Sequence, residues 1–131
     1  MIGVDTNVLV RLFIDDEPQS AKSLEFFSAR SASDPAFVSL LVAAEFTWVL
    51  KKKYTKTSVE IGRALQSMLD SDDFVLEARD SVEWALANFT RSKIDFSDLL
   101  IARSSELARA PRIVTFDKEA ARHVPGMELL K

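Results

Sequence analysis

Short apolar runs alternate with amphipathic helical patterns along the whole chain, and this alternation restricts the possible folds more than any other feature. Strands are predicted at residues 1–4, 36–38, 74–76, 112–115 and 127–130, with helices between them. Strands separated by helices form βαβ crossovers, which build a mainly parallel sheet with helices on both faces. The 131 residues suit one domain, and we predict a single domain over residues 1–131. The sequence therefore predicts an α/β fold.

Several residues predict where the helices begin and which faces they bury. Ser39 is expected to cap a helix that runs through Leu50, and Thr57 and Glu60 have the spacing of a capping box. Pro18 is expected to begin an earlier helix. The predicted buried face of that earlier helix consists of Ala21, Leu24 and Phe27. The predicted buried face of the helix after the capping box consists of Ile61, Ala64, Leu65, Met68 and Leu69.

The residue types that are missing exclude many kinds of catalytic site. The chain has no cysteine and one histidine, His123, so thiolate nucleophiles, zinc ribbons and multi-histidine metal sites are impossible. No G-x-S-x-G motif accompanies His123 to suggest a serine triad. The three glycines are too far apart to form a phosphate-binding loop. If the protein is an enzyme, its carboxylates are the available catalytic groups.

The chain lacks the features of a membrane or exported protein. Its most apolar stretch, residues 35–50, has 16 residues and contains a carboxylate. A membrane-spanning helix needs about 20 apolar residues. The N-terminal sequence MIGVDTN lacks the positive region of a signal peptide. We therefore expect a cytoplasmic protein.

Four acidic residues occupy positions that suggest a shared site. Asp5 follows the first predicted strand, and Asp117 follows the fourth after one intervening residue. Asp98 lies one helical turn after Asp95, and Glu45 is the only charged residue in the stretch 35–50. In open parallel sheets, ligands bind outside the carboxyl ends of the strands. The positions of Asp5 and Asp117 therefore suggest that they face a ligand.

Carboxylates that converge need a compensating positive charge. Glu45 is expected to be buried in its apolar helix, where an isolated carboxylate costs several kcal/mol, roughly, unless it is paired, protonated or bound to a metal. Oxygen ligands select hard cations such as Mg²⁺ or Mn²⁺. Such an ion lowers the pKa of a bound water and polarises a phosphodiester. Metal-assisted phosphodiester hydrolysis is thus chemistry that this residue set permits.

Each aspartate also has a structural explanation. Asp5 and Asp117 could each cap the helix that follows it, and Asp95 and Asp98 have the N-cap and N3 spacing of a capping pair. We favour the capping role for Asp95 and treat it as an auxiliary residue. Glu45 is six residues beyond its helix start, so capping does not explain it. Taken together, the four acids favour a shared site.

Four segments resemble the signatures of PIN domains, and more closely those of the VapC-type toxins of toxin–antitoxin pairs. They are MIGVDTNVLVRL, VAAEFTWVL, DFSDLLIA and VTFDKEA, whose order and spacing match over essentially the entire chain. The resemblance implies a three-layer α/β/α sandwich around a mainly parallel sheet and metal-dependent endoribonuclease activity with Mg²⁺ or Mn²⁺. It also implies an RNA substrate, a homodimer and a small cognate antitoxin protein.

The resemblance carries functional positions onto this sequence residue by residue. The metal-binding and catalytic acids of the family fall on Asp5, Glu45, Asp98 and Asp117. The polar residue near the fourth acid falls on Thr115, and Asn7 occupies the supporting position after the first acid. From the residues alone, Thr115 and Asn7 are equally well explained as turn or capping residues. We therefore treat both as auxiliary.

Other functions remain open at this point. A haloacid-dehalogenase-like phosphatase also places an aspartate after its first strand, but it requires a second aspartate where this chain has Asn7. A catalytically inert PIN-like domain that binds RNA or protein is a further alternative. The net charge of −3 does not indicate nucleic-acid binding, and the local basic groups (Lys51–Lys53, Arg63, Arg91–Lys93 and Arg103) fit solvated helix faces. A dimer or antitoxin surface could be lined by Trp48, Val49, Tyr54, Ile61, Leu65 and Met68, although core packing explains most of these residues equally well.

Overall fold

The computed structural model describes residues 1–16, 18–89 and 93–131, in which seven helices and five strands are found. The strands are β1 (Ile2–Gly3), β2 (Ala36–Val38), β3 (Phe74–Leu76), β4 (Ile113–Thr115) and β5 (Met127–Leu129). The helices are α1 (Thr6–Phe13), α2 (Gln19–Ser28), α3 (Leu40–Lys52), α4 (Ser58–Leu69), α5 (Arg79–Phe89), α6 (Phe96–Leu107) and α7 (Lys118–His123). None of the helices in these ranges has the length and apolar character needed to cross a membrane. The chain divides into two compact units, Met1–Arg79 and Asp80–Lys131.

The first unit contains a three-stranded parallel sheet in the order β1-β2-β3. In its register Gly3 lies beside Phe37, and Val38 lies beside Leu76. The pairing extends one residue beyond the strands, because the Glu77 amide donates to the Val38 carbonyl oxygen at 2.9 Å. The residues that follow the strands therefore lie along one edge of this sheet.

Capping explains where the longer helices of this unit begin. The Ser39 hydroxyl accepts a hydrogen bond from the Val42 amide at 3.1 Å at the start of α3. At α4, Thr57 and Glu60 exchange the two hydrogen bonds of a capping box, at 3.1 and 3.0 Å. These contacts satisfy amides that a helix start leaves without intrahelical partners. Both predicted caps are confirmed, although α3 continues two residues past Leu50.

The core of the first unit confirms one predicted face and corrects another. The predicted stripe of α4 is buried throughout, from Ile61 to Leu69. Of the two explanations for Ile61, Leu65 and Met68, core packing is confirmed and the partner interface is wrong, since each is at most 1% exposed. Aromatic pairs complete this core, with Phe13 edge-on to Phe46 at 5.4 Å between ring centroids.

Two burial predictions fail at the edges of the unit. The buried residues of α2 are Ser20, Ser23 and Phe27, whereas Ala21 is exposed and Leu24 is 55% exposed. Ser20 is buried because its hydroxyl donates to the Ile14 carbonyl oxygen at 2.7 Å, which ties the start of α2 to the end of α1. The first predicted strand, residues 1–4, is an apolar run for which burial is expected, but both residues of β1 are exposed and Val4 is the buried position.

The second unit contains β4 and β5, which pair in parallel, and the helices from α5 to α7. Its buried cluster comprises Ala102, Ala120 and Val124, with Trp84, Ile94, Ile113 and Met127 packed against it. Gly126 has a φ of +83°, and a Cβ there would collide with the Pro111 carbonyl oxygen. A residue with a side chain would be strained at this turn. The turn positions the Gly126 carbonyl to accept from the Ile113 amide at 2.8 Å.

All three strand ladders in the described ranges are parallel, and helices connect the successive strands. The predicted α/β class with a parallel sheet is confirmed.

Candidate active site

Asp5 lies directly after β1 and caps α1. Its Oδ1 atom accepts a hydrogen bond from the Thr6 amide at 2.7 Å, and the residue has the extended backbone of an N-cap. The carboxylate is exposed and lies on a cleft of about 280 Å³ between β1, α1 and α2. The capping interpretation is thus confirmed for Asp5. Within the described ranges Oδ2 makes no hydrogen bond, so a ligand can reach it.

Asn7 lies in the first turn of α1, two residues beyond Asp5, and is exposed. Its backbone carbonyl accepts from the Arg11 guanidinium at 3.1 Å, and Arg11 also lies 3.5 Å from the Asp16 carboxylate. These two contacts hold the positively charged guanidinium of Arg11 beside the first turn of α1. The auxiliary role of the Asn7 side chain stays a prediction.

Glu45 lies in the middle of α3, and its expected burial is wrong. The side chain is exposed, whereas Ala43, Phe46, Thr47 and Leu50 form the buried face of the helix. Apolar residues of α3 also occur on its exposed face, where Leu41 and Trp48 lie, so the apolar sequence around Glu45 does not indicate burial. Its charge is therefore solvated, and the argument that burial forces it to bind a cation does not apply. A metal-binding role for Glu45 depends on the family resemblance.

Glu77 is an acidic residue that the sequence reasoning missed. It follows β3 directly, and its Oε1 accepts from the Leu40 amide at 2.7 Å at the start of α3. By the register of the sheet, Asp5, Ser39 and Glu77 occupy one row just beyond the three strands. Adjacent strands are about 4.8 Å apart, so this row is compact. The rule that drew attention to Asp5 and Asp117, an acid immediately after a strand, would also have found Glu77.

Asp117 caps α7 in the second unit. Its Oδ1 atom accepts from the Glu119 amide at 2.9 Å and from the Ala120 amide at 3.0 Å. The Thr115 hydroxyl accepts from the Asp117 amide at 3.0 Å, which fixes the turn between β4 and α7. The structural interpretations of Asp117 and Thr115 are therefore both confirmed. As at Asp5, only one carboxylate oxygen is engaged among the hydrogen bonds of the described ranges.

A small cleft of the second unit brings three of the predicted acids together. Its lining includes Asp95, Asp98 and Asp117, a fourth carboxylate from Glu119, and the basic groups of Lys93 and His123. Apolar side chains of Ile94, Ala120 and Val124 complete its walls, and its volume is about 40 Å³. Carboxylates gathered in such a space repel one another unless cations compensate them. His123 is exposed, and its Nε2 atom lies 3.5 Å from the Glu119 carboxylate.

Asp95 differs from its predicted role. It occupies the N-cap position of α6, but its side chain makes no capping hydrogen bond. Asp98 follows three residues later, in the first turn of the same helix, and is half-buried. The spacing of Asp95 and Asp98 predicted a capping pair, and this prediction is wrong because the Asp95 side chain does not make the capping hydrogen bond. Both side chains have other interactions.

The donor chemistry of these residues fits a hard divalent cation. All the candidate ligand atoms are carboxylate oxygens, and two acids offer an oxygen that capping does not use. In neither unit do three or more Asp, Glu or His side chains of the described ranges lie close enough together to form a complete cage. Mg²⁺ rarely uses such a cage, since it binds one or two carboxylates and keeps several waters or substrate oxygens. In the basic segment Arg91–Lys93, residues 91 and 92 lie outside the described residues.

A protein-family model described as PIN domain matches residues 2–125, a range that includes all four candidate acids. The matched range extends across both compact units. No curated protein shows a significant match to the chain.

Proposed function

The chain belongs to the PIN domain family, and from that premise we propose that it is a metal-dependent endoribonuclease. PIN domains are usually nucleases, commonly metal-dependent ribonucleases. The observation that carries the proposal is the family match over residues 2–125, which contains every candidate acid. The proposed metal-binding residues are Asp5, Glu45, Asp98 and Asp117, with Mg²⁺ or Mn²⁺ as the ion. The same match supports the proposal that residues 1–131 act as one domain.

Capping gives two of these acids a fixed orientation. At Asp5 and Asp117, one carboxylate oxygen is held by backbone amides, so the other oxygen points in a defined direction. Residues whose rotamers are locked in this way make a preorganised site. Thr115 acts through Asp117 by holding its backbone amide. The structural and catalytic roles of the two aspartates are thus compatible.

Charge supports a cation in the cleft of the second unit. Among the described residues, four carboxylates and two basic side chains, those of Lys93 and His123, line this cleft. A bound divalent ion would offset this repulsion, lower the pKa of a bound water and stabilise charge on a phosphodiester. Lys93 is placed to contribute a further positive charge toward a phosphate. A cation bound in this cleft would therefore favour an anionic substrate.

The proposal extends to the biological role that the resemblance implies. We infer a cytoplasmic toxin of a toxin–antitoxin pair that forms a homodimer and is neutralised by a small cognate protein. The neighbouring gene is the simplest test, because a short adjacent reading frame for a DNA-binding protein would support this role and an isolated gene would contradict it. Sequencing of RNA ends after induced expression would identify the RNA that is cleaved.

Cleavage of a labelled single-stranded RNA by the purified chain tests the activity itself. We expect cleavage with Mg²⁺ or Mn²⁺, none with a chelator, and recovery when the metal is returned. Asp5→Asn should abolish cleavage, because Asn keeps the cap but removes the charge. Asp72→Asn is the matched control, since Asp72 lies exposed in a turn. Undiminished cleavage by Asp5→Asn would contradict the proposed site.

The two alternatives give different results in the same preparation. An inert binding module would bind RNA without cleaving it under any metal condition. A haloacid-dehalogenase-like phosphatase would release phosphate from a small phosphomonoester and leave RNA intact. Asn7, at the position where that phosphatase needs a second aspartate, disfavours this second alternative.

A further inference from the structure

One face of α3 carries an unusual combination of exposed side chains. Leu41, Glu45, Trp48 and Lys52 are all exposed and recur at intervals of four, three and four residues. At 100° per residue these four positions fall within an arc of about 60°. The buried residues of the helix occupy the opposite side. We call these four residues the α3 stripe.

Two members of the α3 stripe are large apolar groups in contact with solvent. Trp48 is 56% exposed and Leu41 is 70% exposed. Isolated exposed leucines are common on protein surfaces and need no explanation. A tryptophan is different, because it offers a flat face on which any nucleotide base can stack.

The order of chemical groups along the stripe matches the parts of a nucleotide strand. Trp48 lies about 4.5 Å along the helix axis from Glu45, and Lys52 lies about 6 Å further on. An acid proposed to hold the metal is thus followed by an aromatic face and then by a cation. Lys52 is flanked by Lys51 and Lys53 at the end of α3, so positive charge is concentrated there. This arrangement complements a base followed by a phosphate.

We propose that the α3 stripe binds single-stranded RNA next to the cleaved bond, with one base stacked on Trp48 and a phosphate on Lys52. The inference rests on the proposed ribonuclease activity and adds a substrate-binding surface to it. Sequence-tolerant stacking on aromatic side chains, combined with a basic track for the backbone, is how many proteins hold single strands. Trp48 then sets which part of the RNA approaches Glu45.

Fluorescence of Trp48 reports stacking directly. The chain has two tryptophans, and Trp84→Phe leaves Trp48 as the only one. In that background with Asp5→Asn added to stop cleavage, a short single-stranded RNA should quench the emission. An abasic oligonucleotide of equal length should bind more weakly and leave the emission unchanged. Equal quenching by both oligonucleotides would overturn the stacking contact.

Substitutions along the stripe test Trp48 and Lys52 by different measurements, the KM for RNA and the salt dependence of RNA affinity. Trp48→Ala should raise the KM for RNA roughly 5- to 150-fold, the range for loss of one stacked base, and Trp48→Phe should recover most of it. Lys52→Ala should reduce the slope of log affinity against log salt by about 0.7, the value for one phosphate contact on a single strand. Leu24→Ala is the control, since it removes an exposed apolar group of α2 that lies outside the stripe.

The outcomes separate this inference from the proposed function. Wild-type cleavage with unchanged KM in Trp48→Ala would overturn the stacking surface but not the ribonuclease. If Trp48→Ala and Leu41→Ala both changed the oligomeric state and neither changed KM, the stripe would be a protein interface and the inference would be wrong. RNA binding that depends on Trp48, without cleavage by the wild type, would support the surface and overturn the nuclease.

Discussion

Replacement of Asp117 separates its structural role from its proposed catalytic role. Its Oδ1 atom accepts two amide hydrogen bonds, from Glu119 at 2.9 Å and Ala120 at 3.0 Å. Asparagine can accept the same bonds through its amide oxygen, whereas alanine cannot accept either. Asp117→Asn therefore removes the charge and keeps the cap, and Asp117→Ala removes both.

The expected magnitudes follow from these contacts. Loss of an N-cap to alanine costs about 1 kcal/mol, and two satisfied amides place Asp117 toward the upper part of the range, at about 1–2 kcal/mol. Such a loss corresponds to a fall in Tm of roughly 3–8 °C for a chain of this size. Asp117→Asn should cost less, about 0.5 kcal/mol, because only the interaction of its charge with the helix dipole is lost. Both variants should lose cleavage activity by about 100-fold or more, since metal-assisted charge stabilisation is worth several kcal/mol.

Thermal unfolding and RNA cleavage measured on the same preparations provide the assay. Stability should decrease in the order wild type, Asp117→Asn, Asp117→Ala, while cleavage activity should be lost equally in the two variants. If Asp117→Asn retained full cleavage, the carboxylate would be a helix cap and nothing more. If Asp117→Ala were as stable as the wild type, the capping argument would be wrong.

Two further predictions concern stability. Gly126→Ala should destabilise the protein by about 1–3 kcal/mol in chemical denaturation, because φ is +83° and the added methyl group meets the Pro111 carbonyl oxygen. Gly3→Ala, where a Cβ has nothing within 4 Å, is the control and should change little. The backbone amide of Thr57 holds the pKa of Glu60 below its ordinary value. The capping box therefore stabilises the fold above the unfolded-state pKa and loses this contribution as pH falls through the lowered one. The stability difference between wild type and Glu60→Gln should accordingly shrink from pH 7 to pH 3, and a difference independent of pH would refute the assignment.

Local signals in the sequence predicted the elements well. The capping box at Thr57 and the cap at Ser39 each involve residues no more than three positions apart in the sequence. They can therefore be predicted without knowledge of the tertiary structure. The apolar stripe of α4 is equally local, because a period of 3.6 residues selects one face. The parallel ladders followed from the alternation of strands and helices.

The predictions from sequence failed where burial or a hydrogen bond depends on residues that are distant in the sequence. An apolar sequence around Glu45 suggested burial, yet which face of α3 packs inward depends on the rest of the fold. The serine-lined buried face of α2 depends on the hydrogen bond from Ser20 to Ile14, which periodicity does not reveal. Glu77 directly follows β3, so the rule that selected Asp5 and Asp117 applies to it, but its contact with the Leu40 amide, 37 residues away in the sequence, could not be predicted. Asp95 has the spacing of a cap but not its hydrogen bond.

The cleavage rate of Glu45→Gln tests the carboxylate site most directly. Glu45 is exposed, and no hydrogen bond or ion pair of its side chain is found in the described ranges, so the substitution should leave stability within about 0.5 kcal/mol of the wild type. Glu25→Gln, at another exposed helical position of the same unit, is the matched control. We predict a loss of about 100-fold or more in the single-turnover rate of RNA cleavage with Mg²⁺ for Glu45→Gln, and none for the control. Equal rates in the two variants would contradict the account.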